Sequence, residues 1–244
     1  MVLKEQSGFG EIVEGVNSVV AAFNNDRVIK LLIRGSYTEP RISKIIEELA
    51  TKGVSVDYVP NNEWRYSERH KVVALCNKIS FISEAEFSRV KGSNIVVCLN
   101  LKDPQNIGAI ARSALAFDFF TLAMPKKRSS PISSSVFSSS AGAIEELNIL
   151  TYNSIFSLVK KMRSNDYWLF GVEKGMESSI NIEQMPTSNI AILLGNEKTG
   201  LSSELQRKLD GIYSIETSNK VDSLNVSVAA GIVMEKIYNK TRLK

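Results

Sequence analysis

Short apolar runs of strand length, separated by stretches with helical periodicity, constrain the fold of this chain more than any single residue does. VIKLLI (28–33) and VSVDYV (54–59) are β-branched runs of strand length, and VVALC (72–76), NIVVCL (94–99), an apolar run at 119–124, YWLFGV (167–172) and IAILL (190–194) are further apolar runs of that kind. Between them, RISKIIEELA (41–50) places Ile42, Ile45, Ile46, Leu49 and Ala50 on one stripe of a helix, opened by Pro40 and closed by Gly53. A second helix carries Ile107, Ile110, Ala111, Ala114 and Leu115 on one face, and further helical stretches fall at 11–23, 153–163, 201–209 and 224–239. Continuously apolar strands suit a sheet buried on both sides. The alternation predicts an α/β chain with a mainly parallel sheet and helices on both faces.

With 244 residues, 43% hydrophobic and 23% charged, the chain is long enough for one large domain or a small one joined to a medium one, and disorder is excluded. No run reaches the roughly 18 apolar residues of a spanning helix. The start, MVLKEQSGFGEIVEG, lacks the apolar core of a signal peptide, so a cytoplasmic location is expected. Cys76 and Cys98 lie in apolar runs without CxxC spacing and read as buried. One histidine, His70, excludes a His-based triad, a two-histidine relay and a His-rich metal site; no metal is expected. Catalysis must rest on carboxylates, hydroxyls, amides, Lys or Arg, or on a cofactor. Residues 1–90 hold 12 Lys+Arg against 12 Asp+Glu, so the whole net charge of +4 lies in the rest of the chain, with clusters at Lys126-Lys127-Arg128 and 240–244.

Residues 83–93, SEAEFSRVKGS, lose apolar periodicity and read as a linker between domains at 1–82 and 94–244. The serine-rich SSPISSSVFSSS (129–140) reads as a loop, either flexible or ordered by RNA or cofactor.

Three constellations carry chemistry. In NLKDPQNIGAIARSALAF (100–117), an Asp-Pro turn delivers Asn106 to a helix start, where it is also a candidate cap; Arg112 interrupts a small-residue helix expected to be buried, where it would need an anion. In IAILLGNEKTGLSSEL (190–205), a glycine loop follows a strand but matches neither GxxxxGK[ST] nor GxGxxG, and Glu197 argues against a phosphate. A nucleoside or a cationic ligand suits it better. In DSLNVSVAAGI (222–232), Ser223 and Asn225 precede a helix whose first turns are small enough for another element to press against them.

In this order and spacing, DPxNxGxxxR (103–112), LGNExxGL (194–201) and DSLNVSVAAGI resemble the three signature motifs of the SpoU (TrmH-type) branch of the SPOUT RNA 2′-O-ribose methyltransferases, most closely the two-domain members acting on a guanosine of 23S rRNA. The first 82 residues resemble the small L30e-like RNA-binding domain of such members. The resemblance implies a C-terminal α/β domain with a deep trefoil knot, a homodimer packed through the knots, S-adenosylmethionine as donor, and transfer to a ribose 2′-hydroxyl. Carried over by position, Leu194, Gly195, Asn196, Gly200, Ile215 and Leu224 match the cofactor cradle, while Asn106, Arg112, Glu197, Ser223 and Asn225 match the residues of catalysis and substrate placement. Arg112 would act as base, although a guanidinium with a pKa above about 12 stays protonated; it either loses a proton beside a phosphate or partner-chain group, or remains charged and positions a phosphate. Asn100, Asp118 and Ile215-Glu216-Thr217 depart from the pattern, where relatives carry Asp, Gly and Ile-Pro-Met. Trp64, Arg65 and Arg69, with Tyr66, are candidate RNA contacts through stacking and phosphate pairing, with Trp64 as a core residue the alternative. Lys126, Lys127 and Arg128 are basic candidates for the same role. Alternatives are the same chemistry on tRNA, or a non-catalytic RNA-binding or ribosome-assembly factor that kept the knot.

Overall fold

The computed structural model describes residues 9–126, 132–174, 180–196, 199–218, 220 and 223–242. They form two compact units, one of Met1–Ser80 with Pro131–Glu146, the other of Phe81–Ser130 with Leu147–Lys244.

The first unit opens with β1 (Ile12–Glu14), which Gly15, at φ 91°, turns into α1 (Val16–Asn24). The expected helix over 11–23 therefore begins late, because residues 12–14 pair with a neighbouring strand. Next come β2 (Val28–Arg34), α2 (Pro40–Thr51), β3 (Ser55–Val59) and β4 (Val72–Cys76). The α2 start is capped by the Glu39 carboxylate, which accepts the Ile42 N–H at 3.1 Å, and Ile42, Ile45 and Leu49 of its apolar stripe are buried. The sheet order is β1-β4-β2-β3, parallel only between β2 and β3.

The described part of the serine-rich segment, 132–140, belongs to this unit. It forms α4 (Ser134–Ser140), ended by Ala141 in the left-handed region at φ 52°. Val136 and Phe137 are fully buried, and Ser18 Oγ donates to the Phe137 carbonyl at 3.0 Å. Four residues further on, Glu145 pairs bidentately with the buried Arg27, at 2.6 and 2.8 Å. Protein contacts within the unit order this helix, which the loop reading overlooked by weighing the serines above Ile132, Val136 and Phe137.

In the second unit β5 (Phe81–Ser83) leads to β6 (Ile95–Cys98), α3 (Pro104–Ala116), β7 (Thr121–Pro125), β8 (Asn148–Tyr152), α5 (Ile155–Arg163), β9 (Trp168–Glu173), β10 (Ile190–Leu194), α6 (Ser203–Gln206), β11 (Gly211–Ser214) and α7 (Val226–Arg242). The sheet runs β11-β9-β10-β6-β7-β8-β5, with every pairing parallel. Residues 83–93, read as a linker, are structured here: a 3₁₀ stretch over Glu84–Val90, held by a capping box between Ser83 and Glu86, buries Phe87 and Val90 in the core. Two apolar side chains sufficed where periodicity was weak. Ile95, Val97, Ala191 and Leu193 point into a core shared with Leu158, Val159 and Met162 of α5, and the alternate residues Val96, Cys98, Ile192 and Leu194 are equally buried. Both faces of the sheet are thus covered. The helix expected over 201–209 is shorter, α6 being capped by Ser202 Oγ and followed by a turn. No helix among the described residues is long and apolar enough to cross a membrane.

Candidate active site

Chain order in the sheet puts the three motif loops side by side. Strands β6 and β10 are neighbours in register, Leu194 opposite Cys98, and the Leu99 N–H continues the ladder to the Leu194 carbonyl at 3.0 Å. β6 to β8 run toward one edge while β9 to β11 lie on the other side, so the order reverses between β6 and β10. Ligands of open parallel sheets bind outside the carboxyl ends of strands at such a reversal.

A cavity of about 540 Å³ lies there, at the ends of β9, β10 and β11, within the range of roughly 300–1,000 Å³ for small-molecule sites. Leu194, Gly195, Asn196, Gly200, Ile215 and Leu224 all line it. So do Ser223 and Asn225, along with Val172, Glu173, Lys174, Thr199, Thr217, Val226 and Ala229, which the sequence reading did not assign to a site. Val172, Glu173 and Lys174 were within reach of it, since they end a recognisable strand and strand ends carry the site in this fold class.

The glycine loop is a closed clasp. Asn196 and Gly200 form an isolated antiparallel bridge, with the Gly200 N–H on the Asn196 carbonyl at 2.9 Å. A Cβ on Gly195 would stand 2.6 Å from the Gly200 carbonyl carbon, so only glycine lets the two backbones meet. Asn196 Nδ2 reaches the Asn100 carbonyl at 3.3 Å, tying this loop to the first motif. Asn100 sits at φ 55° and Asp118 at φ 60°, which accounts physically for Asn at one departure and for the glycine usual at the other.

At the start of α3 the Asp103 carboxylate, not Asn106, is the cap, accepting the Gln105 N–H at 2.9 Å. Asn106 falls in the first turn and is only 8% exposed. Its Oδ1 accepts from Asn225 Nδ2 at 3.0 Å, joining the first and third motifs, while Asn225 Oδ1 caps α7 through the Ser227 N–H at 2.8 Å. Ser223 is exposed at the cavity rim.

The burial expected of Arg112 is corrected. This residue is exposed, because the buried positions of α3 are 106–108, 110, 111 and 114 and residue 112 falls outside that stripe. It does not line the cavity among the described residues. Glu197, Lys127 and Arg128 lie outside the described residues; Lys126 is exposed.

In the first unit, Trp64 is half-buried, stacked edge-on against Tyr66 at 5.4 Å, and its Nε1 donates to the Ser67 carbonyl at 3.3 Å. Arg65 and Arg69 are exposed beside it, and burial raises the Tyr66 phenol above its ordinary value. His70 also lies in this unit and is not among the described residues lining the cavity. Burial pushes the thiols of Cys76 and Cys98 up to about 12, which removes both as nucleophiles.

An all-parallel sheet whose reversal point holds a clasped glycine loop and a nucleoside-sized cavity defines a cofactor-binding α/β enzyme. The sequence profile of the SpoU rRNA Methylase family matches residues 93–235, and that of the substrate-binding domain of RNA 2′-O ribose methyltransferases matches residues 12–81. The chain belongs to the SpoU rRNA methylase family and is an RNA ribose methyltransferase. It is 27% identical over 236 residues to the 23S rRNA (guanosine-2′-O-)-methyltransferase RlmB of Xanthomonas axonopodis pv. citri, covering 91% of this chain and 93% of that protein. Against RlmB of Xylella fastidiosa (strain Temecula1) the identity is 28% over 241 residues, 94% and 96% covered. The fold is shared with the AdoMet-bound rRNA methyltransferase of Sinorhizobium meliloti, at TM-score 0.77 and 19% identity over 93% of this chain and 86% of that one. It is shared equally with the SpoU methyltransferase AviRb of Streptomyces viridochromogenes, at TM-score 0.79 and 21% identity over 95% and 90%.

Proposed function

We propose that this protein transfers a methyl group from S-adenosylmethionine to the ribose 2′-hydroxyl of a guanosine in 23S rRNA. The observation that carries the reading is that the second and third motif loops line one cavity at the carboxyl ends of β9–β11, with the first motif tied to them by the Asn106–Asn225 and Asn100–Asn196 hydrogen bonds. Relatives named as 23S rRNA guanosine methyltransferases align over nearly the whole chain, which supports the choice of RNA. The knot implied by the family accompanies this reading.

The cavity fits the donor. Its wall is mostly backbone and neutral side chains, and the Gly195–Gly200 approach leaves room that a Cβ would fill. The donor supplies an electrophilic methyl on a sulfonium, so no metal is needed. Leu194, Gly195, Asn196, Gly200, Ile215 and Leu224, which line the cavity, would hold it. Asn106 and Asn225, hydrogen-bonded to each other, fix the starts of α3 and α7 and with them the mouth that receives the ribose. Ser223 at the rim is offered to the substrate, and Glu197, matched by the motif alone, is proposed for the same role. Excluding water and holding the reacting oxygen in line supply most of the acceleration.

A groove between α3 and α7, lined by Ala109, Ser113, Phe117, Val228, Gly231 and Ile232, leaves Val228 half-exposed. A second copy of this chain covers it in this reading. Arg112 stands three residues from Ala109 on the same helical face, so its partner is an RNA phosphate or a group of the second copy. Trp64, Arg65 and Arg69, with Lys126, Lys127 and Arg128, are proposed as RNA contacts.

The test is mass spectrometry of ribose-methylated nucleosides from 23S rRNA and tRNA of cells with and without the protein. Loss of one 2′-O-methylguanosine from 23S rRNA is expected. Loss from tRNA instead would reassign the substrate, and no loss in either pool would refute the reading.

A further inference from the structure

Among the described residues lining the cavity, the ionisable side chains are Glu173 and Lys174. Lys174 is exposed, whereas Glu173, the last residue of β9, is half-buried. Glu173 is also fastened. Its Oε1 accepts the N–H of Leu201, and its carboxylate fills the space where a Gly200 side chain would project, 2.5 Å from an ideal Cβ at that position. Oε2 has no hydrogen-bond partner among the described residues. A negative charge is thus held in the wall of a cavity whose other described lining residues, apart from the exposed Lys174, offer backbone, amides, hydroxyls and alkyl groups.

Resting on the proposed donor, the relevant chemistry is a difference of one charge. S-adenosylmethionine and its product S-adenosylhomocysteine share adenine, ribose, carboxylate and ammonium. They differ by one methyl and by the positive charge on sulfur. Main-chain N–H and carbonyl groups that cradle the shared parts bind both alike. A fixed, partly desolvated carboxylate attracts the sulfonium and is indifferent to the neutral thioether, and a half-buried charge is screened less than the exposed Lys174 that opposes it.

We propose that Glu173 is a specificity-determining residue of the cofactor site, selecting the cationic donor over the neutral spent product and so favouring product exchange after each transfer. Its hydrogen bond to Leu201 sets the position of the charge, and the charge makes the distinction.

The experiment is isothermal titration of both compounds into the full-length parent protein, Glu173→Gln, Glu173→Ala and Lys174→Gln. Glu173→Gln keeps an oxygen for the Leu201 N–H and removes the charge. The ratio of donor to product affinity is expected to fall about tenfold, the size of one partly screened charge interaction, with product affinity held within about twofold. Glu173→Ala should show the same fall in the ratio together with weaker binding of both compounds, since the loop loses its strut. Lys174→Gln, on the exposed side, keeps the fold intact and should raise the ratio by about twofold to threefold. Equal loss of both compounds in Glu173→Gln would overturn the proposal, because the carboxylate would then act on the shared ammonium or only on loop shape. An unchanged ratio in Glu173→Gln, or a ratio that does not rise in Lys174→Gln, would overturn it as well. A parent protein that binds neither compound would refute the donor assignment itself and the proposal with it.

Discussion

Gly195→Ala is the most incisive single change in the cavity wall. The added Cβ would stand 2.6 Å from the Gly200 carbonyl carbon and 2.8 Å from its Cα, against about 3.5–4.0 Å for carbons in contact. Gly200 must therefore retreat by roughly 1 Å. The Glu173 carboxylate stands where a Gly200 Cβ would project, the Gly200 N–H is committed to the Asn196 carbonyl at 2.9 Å, and its φ of 59° lies in the left-handed region that favours glycine. Retreat breaks one or two backbone hydrogen bonds, worth about 0.5–1.5 kcal/mol each, on top of overpacking strain of about 1–3 kcal/mol. The sum is roughly 2–5 kcal/mol, divided between lost stability and a deformed cradle. As each 1.4 kcal/mol is tenfold in affinity, S-adenosylmethionine binding should weaken by at least about tenfold in calorimetric titration, with a lowered melting temperature in the same preparation. Binding within twofold of the parent protein at an unchanged melting temperature would show that the clasp is not part of the cofactor site.

Glu145→Ala leaves the Arg27 guanidinium, 9% exposed, without its bidentate partner; urea titration should show a loss of about 3–5 kcal/mol, confined to the transition of the first unit. Ala141→Gly relieves a left-handed residue at φ 52° and should gain about 0.5–1 kcal/mol after the unfolded-state cost of glycine, raising the melting temperature by about 2 °C in a differential scan. Cys76 and Cys98, buried and pushed up to about 12, should resist a thiol reagent in the folded protein at neutral pH and react together in denaturant.

Much of this architecture is legible in the residues. Apolar runs such as IVVCL and IAILL are buried on both faces as the central strands β6 and β10, and the apolar stripe of residues 41–50 faces the core as α2. The motif loops could be read as a site because each carries residue types that few structural positions require together. The misreadings share a cause, which is burial set by distant partners. Serine content hid α4, whose buried Phe137 is met by Ser18 and Arg27, more than a hundred positions away. Polar composition hid the segment over 84–90, where Phe87 and Val90 carry the packing. Arg112 was read as buried from its small neighbours, although the α3 stripe that faces inward passes beside it. Glu173 could be placed at a strand end from sequence, but its contact with a loop 28 residues further along could not.

The central claim is tested most directly by incubating the purified protein with S-adenosylmethionine labelled in its methyl group and 23S rRNA that lacks the modification, then hydrolysing the RNA in alkali. A 2′-O-methylated ribose cannot attack its neighbouring phosphate, so the account predicts label in a single alkali-resistant dinucleotide beginning with guanosine. Label released in mononucleotides would place the methyl on a base, and no label above that of a heat-inactivated control would contradict methyl transfer to this RNA.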